Sequence, residues 1–138
     1  MLLKKIFKNP FISIILLVLI LILGIGRNYV WLTFRTGTGK IIIQKFSFLS
    51  STIFGYGLYF PLFVIIITVS LFVLSILKLL IPSLKIRSSF FIILTIINII
   101  CIILPIFIGI QMINTGIIFI LALMIINLIF SLYRNQII

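Results

Sequence analysis

The sequence predicts an all-α integral membrane protein of four transmembrane helices, with a short extracytoplasmic β-hairpin between the first and the second. Hydrophobic residues make up 64% of the 138-residue chain, and charged residues only 8%. A soluble domain carries about 25% charged residues, of both signs. Apolar runs close to the roughly 20 residues that cross a bilayer recur four times. The whole chain, 1-138, is expected to form a single membrane domain.

The first predicted span is 11-26, which has the sequence of a short apolar helix. Its 16 residues would extend about 24 Å as a helix, less than the roughly 30 Å of hydrocarbon in a bilayer. Asn9 followed by Pro10 is a typical helix start, with the Asn side chain as cap. The basic N-terminus, the apolar core and Gly24-Ile25-Gly26 also resemble a cleavable signal peptide. Residues 1-26 are therefore either a retained span or a signal peptide.

The outer loop, 27-57, changes from helical to alternating hydrophobicity. Val30, Leu32 and Phe34 alternate with other side chains, which indicates a β-strand. A turn at Thr36-Gly37-Thr38-Gly39 follows, so the pattern predicts a hairpin, with an irregular interfacial loop as the alternative. The expected register pairs Arg35 with Lys40, which sets two like charges side by side.

Two strands are marginally stable alone, so we expect the hairpin to lie against the membrane surface, the helix ends or another protein. The residues expected to make the outer hairpin contact are Trp31, Arg35, Lys40 and Lys45.

The second predicted span is 58-77, with Pro61 tolerated in its first turn and Lys78 at its exit. The third span, 90-110, follows Ser88 and Ser89, which are candidate caps.

Pro105 lies inside the third span. Its missing N–H leaves the carbonyl of Cys101 without a helical partner, so we predict a helix kink there. The fourth span, 116-133, follows the short turn 111-115, and the third and fourth spans are expected to form an antiparallel hairpin.

Positive charge predicts the orientation of the spans. With four spans, seven basic residues lie on one side of the membrane and four on the other, so both termini are expected to be cytoplasmic. The expected location is a bacterial cytoplasmic membrane, with an organelle inner membrane as the alternative. The side chains expected to anchor the membrane interface are Tyr29, Tyr56, Tyr59 and Tyr133. The seven residues are Lys4, Lys5, Lys8, Lys78, Lys85, Arg87 and Arg134, and the four are Arg27, Arg35, Lys40 and Lys45.

Asn98 and Asn127 are the most polar side chains inside the predicted spans. They are equally spaced from the turn between the third and fourth helices, so they should lie at similar depth and exchange amide hydrogen bonds as an interhelical pair. Alternatively, they line a polar path with Thr95, Ser131 and the kink at Pro105. The hydroxyls of Ser13, Thr68, Ser70 and Ser75 are expected to pack or to bond to their own helices.

The composition restricts chemistry. The chain contains no Asp, Glu or His and a single Cys, Cys101, so it lacks the usual general acids and bases and the ligand sets of Zn²⁺ or Ca²⁺. We therefore predict no enzyme, no metal site and no cofactor. The basic residues are spread between apolar runs and form no patch for nucleic acid, whereas they suit anionic lipid headgroups.

These observations favour a non-catalytic membrane protein that acts by protein-protein contact, most simply an accessory subunit of a larger membrane complex. The expected partners are anionic membrane lipids and either a membrane protein or a second copy of the chain. Two alternatives remain open: an immunity protein against a pore-forming peptide, and a small channel or lipid-handling transporter.

Overall fold

The computed structural model describes residues 9–35, 37–50, 59–81, 83, 86–109 and 113–137. Within these ranges the chain is mostly helical, with four helices and one two-stranded antiparallel hairpin. The predicted types and order of the elements are confirmed. In chain order they are α1 (Pro10–Gly26), β1 (Val30–Arg35), β2 (Ile41–Phe46), α2 (Phe60–Leu80), α3 (Ser88–Phe107) and α4 (Thr115–Ile137).

Three helices are long and apolar enough to cross a membrane: α2, α3 and the Thr115–Arg134 part of α4. This fits a multi-pass membrane protein. The apolar helix α1 has 17 residues and extends about 25 Å at 1.5 Å per residue. That length is less than the roughly 30 Å of hydrocarbon in a bilayer, so a crossing by α1 stays a prediction.

Local signals place some helix ends correctly. The Asn9 side chain accepts a hydrogen bond from the Phe11 N–H at 3.0 Å, with Pro10 as the first helical residue. The prediction for α3 is wrong, because Arg87 is the N-cap residue and Ser88 and Ser89 already lie in the first turn. Arg87 makes no side-chain cap hydrogen bond at this helix start.

The far ends of the helices also differ from the expected spans. Helix α2 continues through Lys78 to Leu80. Helix α3 ends at Phe107, and Gly109 follows with a φ of 76°, a left-handed conformation typical of the residue after a helix. Pro105 therefore lies in the last turn of α3, where it lacks the N–H that would bond to the Cys101 carbonyl. The helix kink at Pro105 stays a prediction.

The register of the hairpin is shifted by one residue from the expected one. Arg35 pairs with Ile41, Phe34 with Ile42 and Trp31 with Lys45. Lys40 lies outside β2, and Gly39 has a φ of 77°. The longer connection avoids placing the like charges of Arg35 and Lys40 side by side, which the predicted shorter turn would require.

The four helices form a closed ring. Helix α1 contacts α2 and α4, and α3 also contacts α2 and α4. The hairpin packs on the helix ends through β1, where Val30 and Leu32 are buried, which confirms one of its expected neighbours. The core therefore lies towards the hairpin end of the bundle. Its buried members are Ile20, Val30, Leu32, Phe48, Val64, Ile65, Ile102, Ile117, Ile120 and Met124.

Candidate functional site

Two buried hydrogen bonds join neighbouring helices of the ring, and we call them the polar clamps. In the first, the Ser13 hydroxyl of α1 donates to the Asn127 Oδ1 of α4. In the second, the Asn98 Nδ2 of α3 donates to the Thr68 Oγ1 of α2 at 2.8 Å. All four residues are buried. The clamps therefore tie α1 to α4 and α2 to α3.

The predicted amide exchange between Asn98 and Asn127 is not found. Both residues are buried as expected, but each bonds to a helix outside the α3–α4 hairpin. The Asn98 Oδ1 accepts no hydrogen bond from the described residues. Equal depth was a sound inference from spacing, but it does not determine which face of each helix turns towards the other.

Small hydroxyl residues mostly bond back to their own helices, as predicted. Thr68 donates to the Val64 carbonyl at 2.6 Å, and Ser70 and Ser75 donate to carbonyls four residues earlier. Ser13 is the exception, because it reaches across to α4. Thr95 donates to the Phe91 carbonyl at 2.7 Å, and Thr95, Ser131 and Pro105 are all buried.

A cavity of about 230 Å³ lies at the end of the bundle away from the hairpin. Here α1 and α3 begin and α2 and α4 end, so all four helices contribute to its wall. We call it the basic cavity, because its wall includes both Lys78 and Arg134. Its other lining residues include Pro10, Ser75, Phe91 and Ser131.

The two cations of the basic cavity differ in their surroundings. The Lys78 ammonium donates to the Ile86 carbonyl at 3.2 Å and lies 5.3 Å from the centroid of the Phe91 ring. The Arg134 Nε is buried and has no hydrogen-bond partner among the described residues. Because the chain has no Asp or Glu, no side-chain carboxylate can neutralise either cation.

The outer hairpin presents a mixed apolar and basic surface. The Lys45 ammonium lies 4.4 Å from the centroid of the Trp31 ring, directly across the strands. Lys40 is exposed beside the turn. In β2, Ile41 is 64% exposed and Ile43 is 48% exposed. Of the residues expected to make contacts here, Arg35 is placed at the end of β1, paired with Ile41.

The predicted tyrosine anchors occupy different places. Tyr29 packs against the start of α4, Tyr59 is the exposed N-cap residue of α2, and Tyr133 is half-buried near the end of α4. Tyr56 lies outside the described residues.

The basic residues are only partly described, because Lys4, Lys5, Lys8 and Lys85 lie outside the described residues. Of the basic residues that are described, Lys78, Arg87 and Arg134 lie at the cavity end and Arg27, Lys40 and Lys45 at the hairpin end.

Sequence reasoning missed Asn114. Its Oδ1 accepts from the Ile117 N–H at 3.0 Å, which caps α4, and its Nδ2 donates to the Tyr29 carbonyl at 2.7 Å. The buried Asn114 thus ties the segment after α1 to the start of α4. An Asn just before an apolar run is a capping signal that could have identified half of this role. The basic cavity carried no local signal, because Lys78 and Arg134 are far apart in sequence.

Comparison with protein-family models, curated proteins and solved structures gives no match for this chain. The described residues contain no group of three or more side chains that could hold a metal ion. The candidate sites are therefore defined by geometry alone: the polar clamps, the basic cavity and the outer hairpin.

The polar clamp between Asn98 and Thr68 gives a stability prediction. Thr68→Val keeps the shape of the side chain but leaves the Asn98 amide without its acceptor. We expect the free energy of unfolding to fall by about 0.6–1.7 kcal/mol, the range of interhelical hydrogen bonds in membranes. Asn98→Leu combined with Thr68→Val removes both partners and should recover most of that loss.

The measurement is unfolding of the purified protein in a neutral detergent, for the two single variants and the double variant. Ser70→Ala is the matched control, because the Ser70 hydroxyl bonds within α2 to the Ile66 carbonyl. A loss in Ser70→Ala as large as that in Thr68→Val would contradict an interhelical role for Thr68.

Proposed function

We propose that this chain is a non-catalytic polytopic membrane protein that works by contact with another membrane protein, as an accessory subunit of a larger complex. The contact surface in this proposal is the outer hairpin. The observation that carries it is β2, in which Ile41, Ile42 and Ile43 are exposed in succession on both faces of the strand. Such exposed apolar strands are typical of surfaces that another molecule covers.

The edge of β2 supports a protein as the partner. The described residues form a sheet of two strands, and none of them pairs with the outer edge of β2. Adding a strand would satisfy backbone groups that otherwise remain exposed, and side chains at alternate positions would supply specificity. Lys40 and Lys45 flank the isoleucine run in sequence, which favours a partner segment that carries acidic residues.

The membrane arrangement belongs to the same proposal. We infer that α1 crosses the bilayer with the three longer helices, so that the hairpin lies outside and both termini lie in the cytoplasm of a bacterial cell. The sequence supports this orientation, because the predicted spans divide its basic residues into seven on the side of the termini and four in the outer loop. The closed ring supports a retained α1, because α1 buries Leu17 and Ile20 among the other helices.

Photo-crosslinking in native membranes tests the contact surface. A photoreactive residue at Thr38 or Ile43 is expected to capture one membrane protein at a fixed ratio to this chain. The same residue at Ile25 is the control, because Ile25 is exposed at the same end of the bundle but lies outside the hairpin. The variant Ile41→Ser/Ile43→Ser, which changes only exposed positions, should remove at least nine-tenths of the captured partner.

Other outcomes separate the alternatives. Adducts with lipid only, or the same adducts from all three probe positions, would contradict the accessory-subunit proposal. Capture of a pore-forming peptide or of its receptor would favour the immunity alternative. Loss of ion or lipid flux in Asn98→Leu/Asn127→Leu at unchanged thermal stability would favour the channel or transporter alternative.

A further inference from the structure

The basic cavity concentrates positive charge that no side chain of this sequence can neutralise. Lys78 and Arg134 line one cavity, so their charges repel each other. No Asp, Glu or His occurs anywhere in the sequence. Ionisable side chains inside membrane segments are rare because they are costly, and they usually have a specific partner. A group that neutralises Lys78 and Arg134 must therefore be something other than a side chain of this protein.

The helix ends explain only part of the arrangement, since Lys78 and Arg134 both lie in the last turns of their helices. Basic residues often lie in the last turn of a helix, where they favour the exposed carbonyls. Lys78 satisfies a carbonyl in the following loop, that of Ile86. The Arg134 Nε, in contrast, is buried and has no acceptor among the described residues. Arg134 lines the cavity, so its guanidinium can meet a ligand there that accepts hydrogen bonds.

We propose that the basic cavity binds a phosphate-type oxyanion through Arg134 and Lys78. Arginine matches the geometry of phosphate oxygens with its planar donors, and lysine adds a compact second charge. Ser75 and Ser131 line the same wall and can donate hydroxyl hydrogen bonds to the remaining oxygens. The cavity has room for a group of this size.

The ligand chemistry has two sources. Anionic phospholipids present a phosphate at the depth where helices leave the hydrocarbon, and the basic cavity lies at the helix ends. A soluble phosphate or phosphate ester could enter from the aqueous side. Both sources present the same oxygens to Arg134 and Lys78, so the experiment must separate them.

Binding is measured as the shift in thermal unfolding midpoint of the full chain in a neutral maltoside detergent. One arm compares dioctanoyl phosphatidylglycerol with dioctanoyl phosphatidylcholine. The other compares sodium phosphate with sodium chloride at equal ionic strength. We expect the anion to raise the midpoint of the wild type, and Arg134→Gln to weaken its apparent affinity about tenfold to a hundredfold.

Arg87→Gln is the matched control, because Arg87 is an exposed cation at the same end of the bundle and does not line the basic cavity. Its affinity should stay within about twofold of the wild type. Lys78→Gln should also weaken binding, and Arg134→Lys should give an intermediate affinity. These two variants keep the test decisive if Arg134→Gln does not fold.

A second readout distinguishes a ligand site from a structural role. In the absence of anion, Arg134→Gln should unfold at the same temperature as the wild type or higher, since it removes a half-buried charge that has no side-chain counterion. A shift with phosphatidylglycerol only assigns the site to a lipid headgroup, and a shift with sodium phosphate assigns it to a soluble oxyanion. Equal affinities of Arg134→Gln and Arg87→Gln, or no shift of the wild type in either arm, would overturn the proposal.

Discussion

Phe48→Ala is expected to lower the free energy of unfolding by about 3–5 kcal/mol, the cost of removing a large aromatic side chain from a packed core. Phe48 is 2% exposed and is one of the largest fully buried side chains. Its ring packs beside Gly24, and its N–H donates to the Gly24 carbonyl at 3.1 Å. Phe48 thus fastens the chain that leaves β2 to the end of α1.

The neighbouring residue supplies the control. Leu49 is 42% exposed, so Leu49→Ala should change the free energy of unfolding by less than about 0.5 kcal/mol. Unfolding in detergent, followed by circular dichroism, measures both variants. Equal losses for Phe48→Ala and Leu49→Ala would mean that the segment after β2 does not pack on the helix ends in solution.

Gly116→Ala is the second large expected effect, with a loss of about 1–3 kcal/mol from overpacking. A Cβ at Gly116 would lie 1.9 Å from the Cδ1 and 2.3 Å from the Cγ of the Tyr29 ring. The ring would have to leave its place, because even its innermost atom is too close. Asn114 holds the Tyr29 backbone through its carbonyl, so the whole residue cannot simply move away.

Two further variants make this prediction specific. At Gly26 a Cβ would meet no atom within 4 Å, so Gly26→Ala should cause no loss of stability. Tyr29→Ala should be less damaging in the Gly116→Ala background than in the wild type, because the clash is then already removed. Strict additivity of Tyr29→Ala and Gly116→Ala would contradict the contact between the two residues.

The sequence predicts what depends on local chemistry. The apolar runs identify all four helices, Asn9 and Pro10 mark the start of α1, and the alternation from Val30 to Phe34 identifies β1. Each signal comes from residues that are close in sequence. The predicted register of the hairpin is wrong because two connection lengths were compatible with the pattern. The longer connection, in which Arg35 pairs with Ile41, includes Gly39 with a positive φ.

The candidate sites depend on contacts between distant segments. Asn98 and Asn127 were identified as buried polar residues, but their partners depend on how the helices are rotated within the ring. The same holds for Lys78 and Arg134, which share one cavity only because α2 and α4 end on the same side. When nearly every position of a helix is apolar, the sequence pattern does not show which face of the helix packs against its neighbours.

The closed ring also has a consequence for the time course of synthesis. Ser13 and its acceptor Asn127 are 114 residues apart. At about 5–20 residues per second, roughly 6 to 23 seconds separate the synthesis of the two residues. During that interval α1 exists without α4, and the Ser13 hydroxyl lacks the acceptor that it has in the finished protein. The ring can close only when the last helix has been made, so a nascent chain interrupted before α4 would leave one side of α1 without its neighbour.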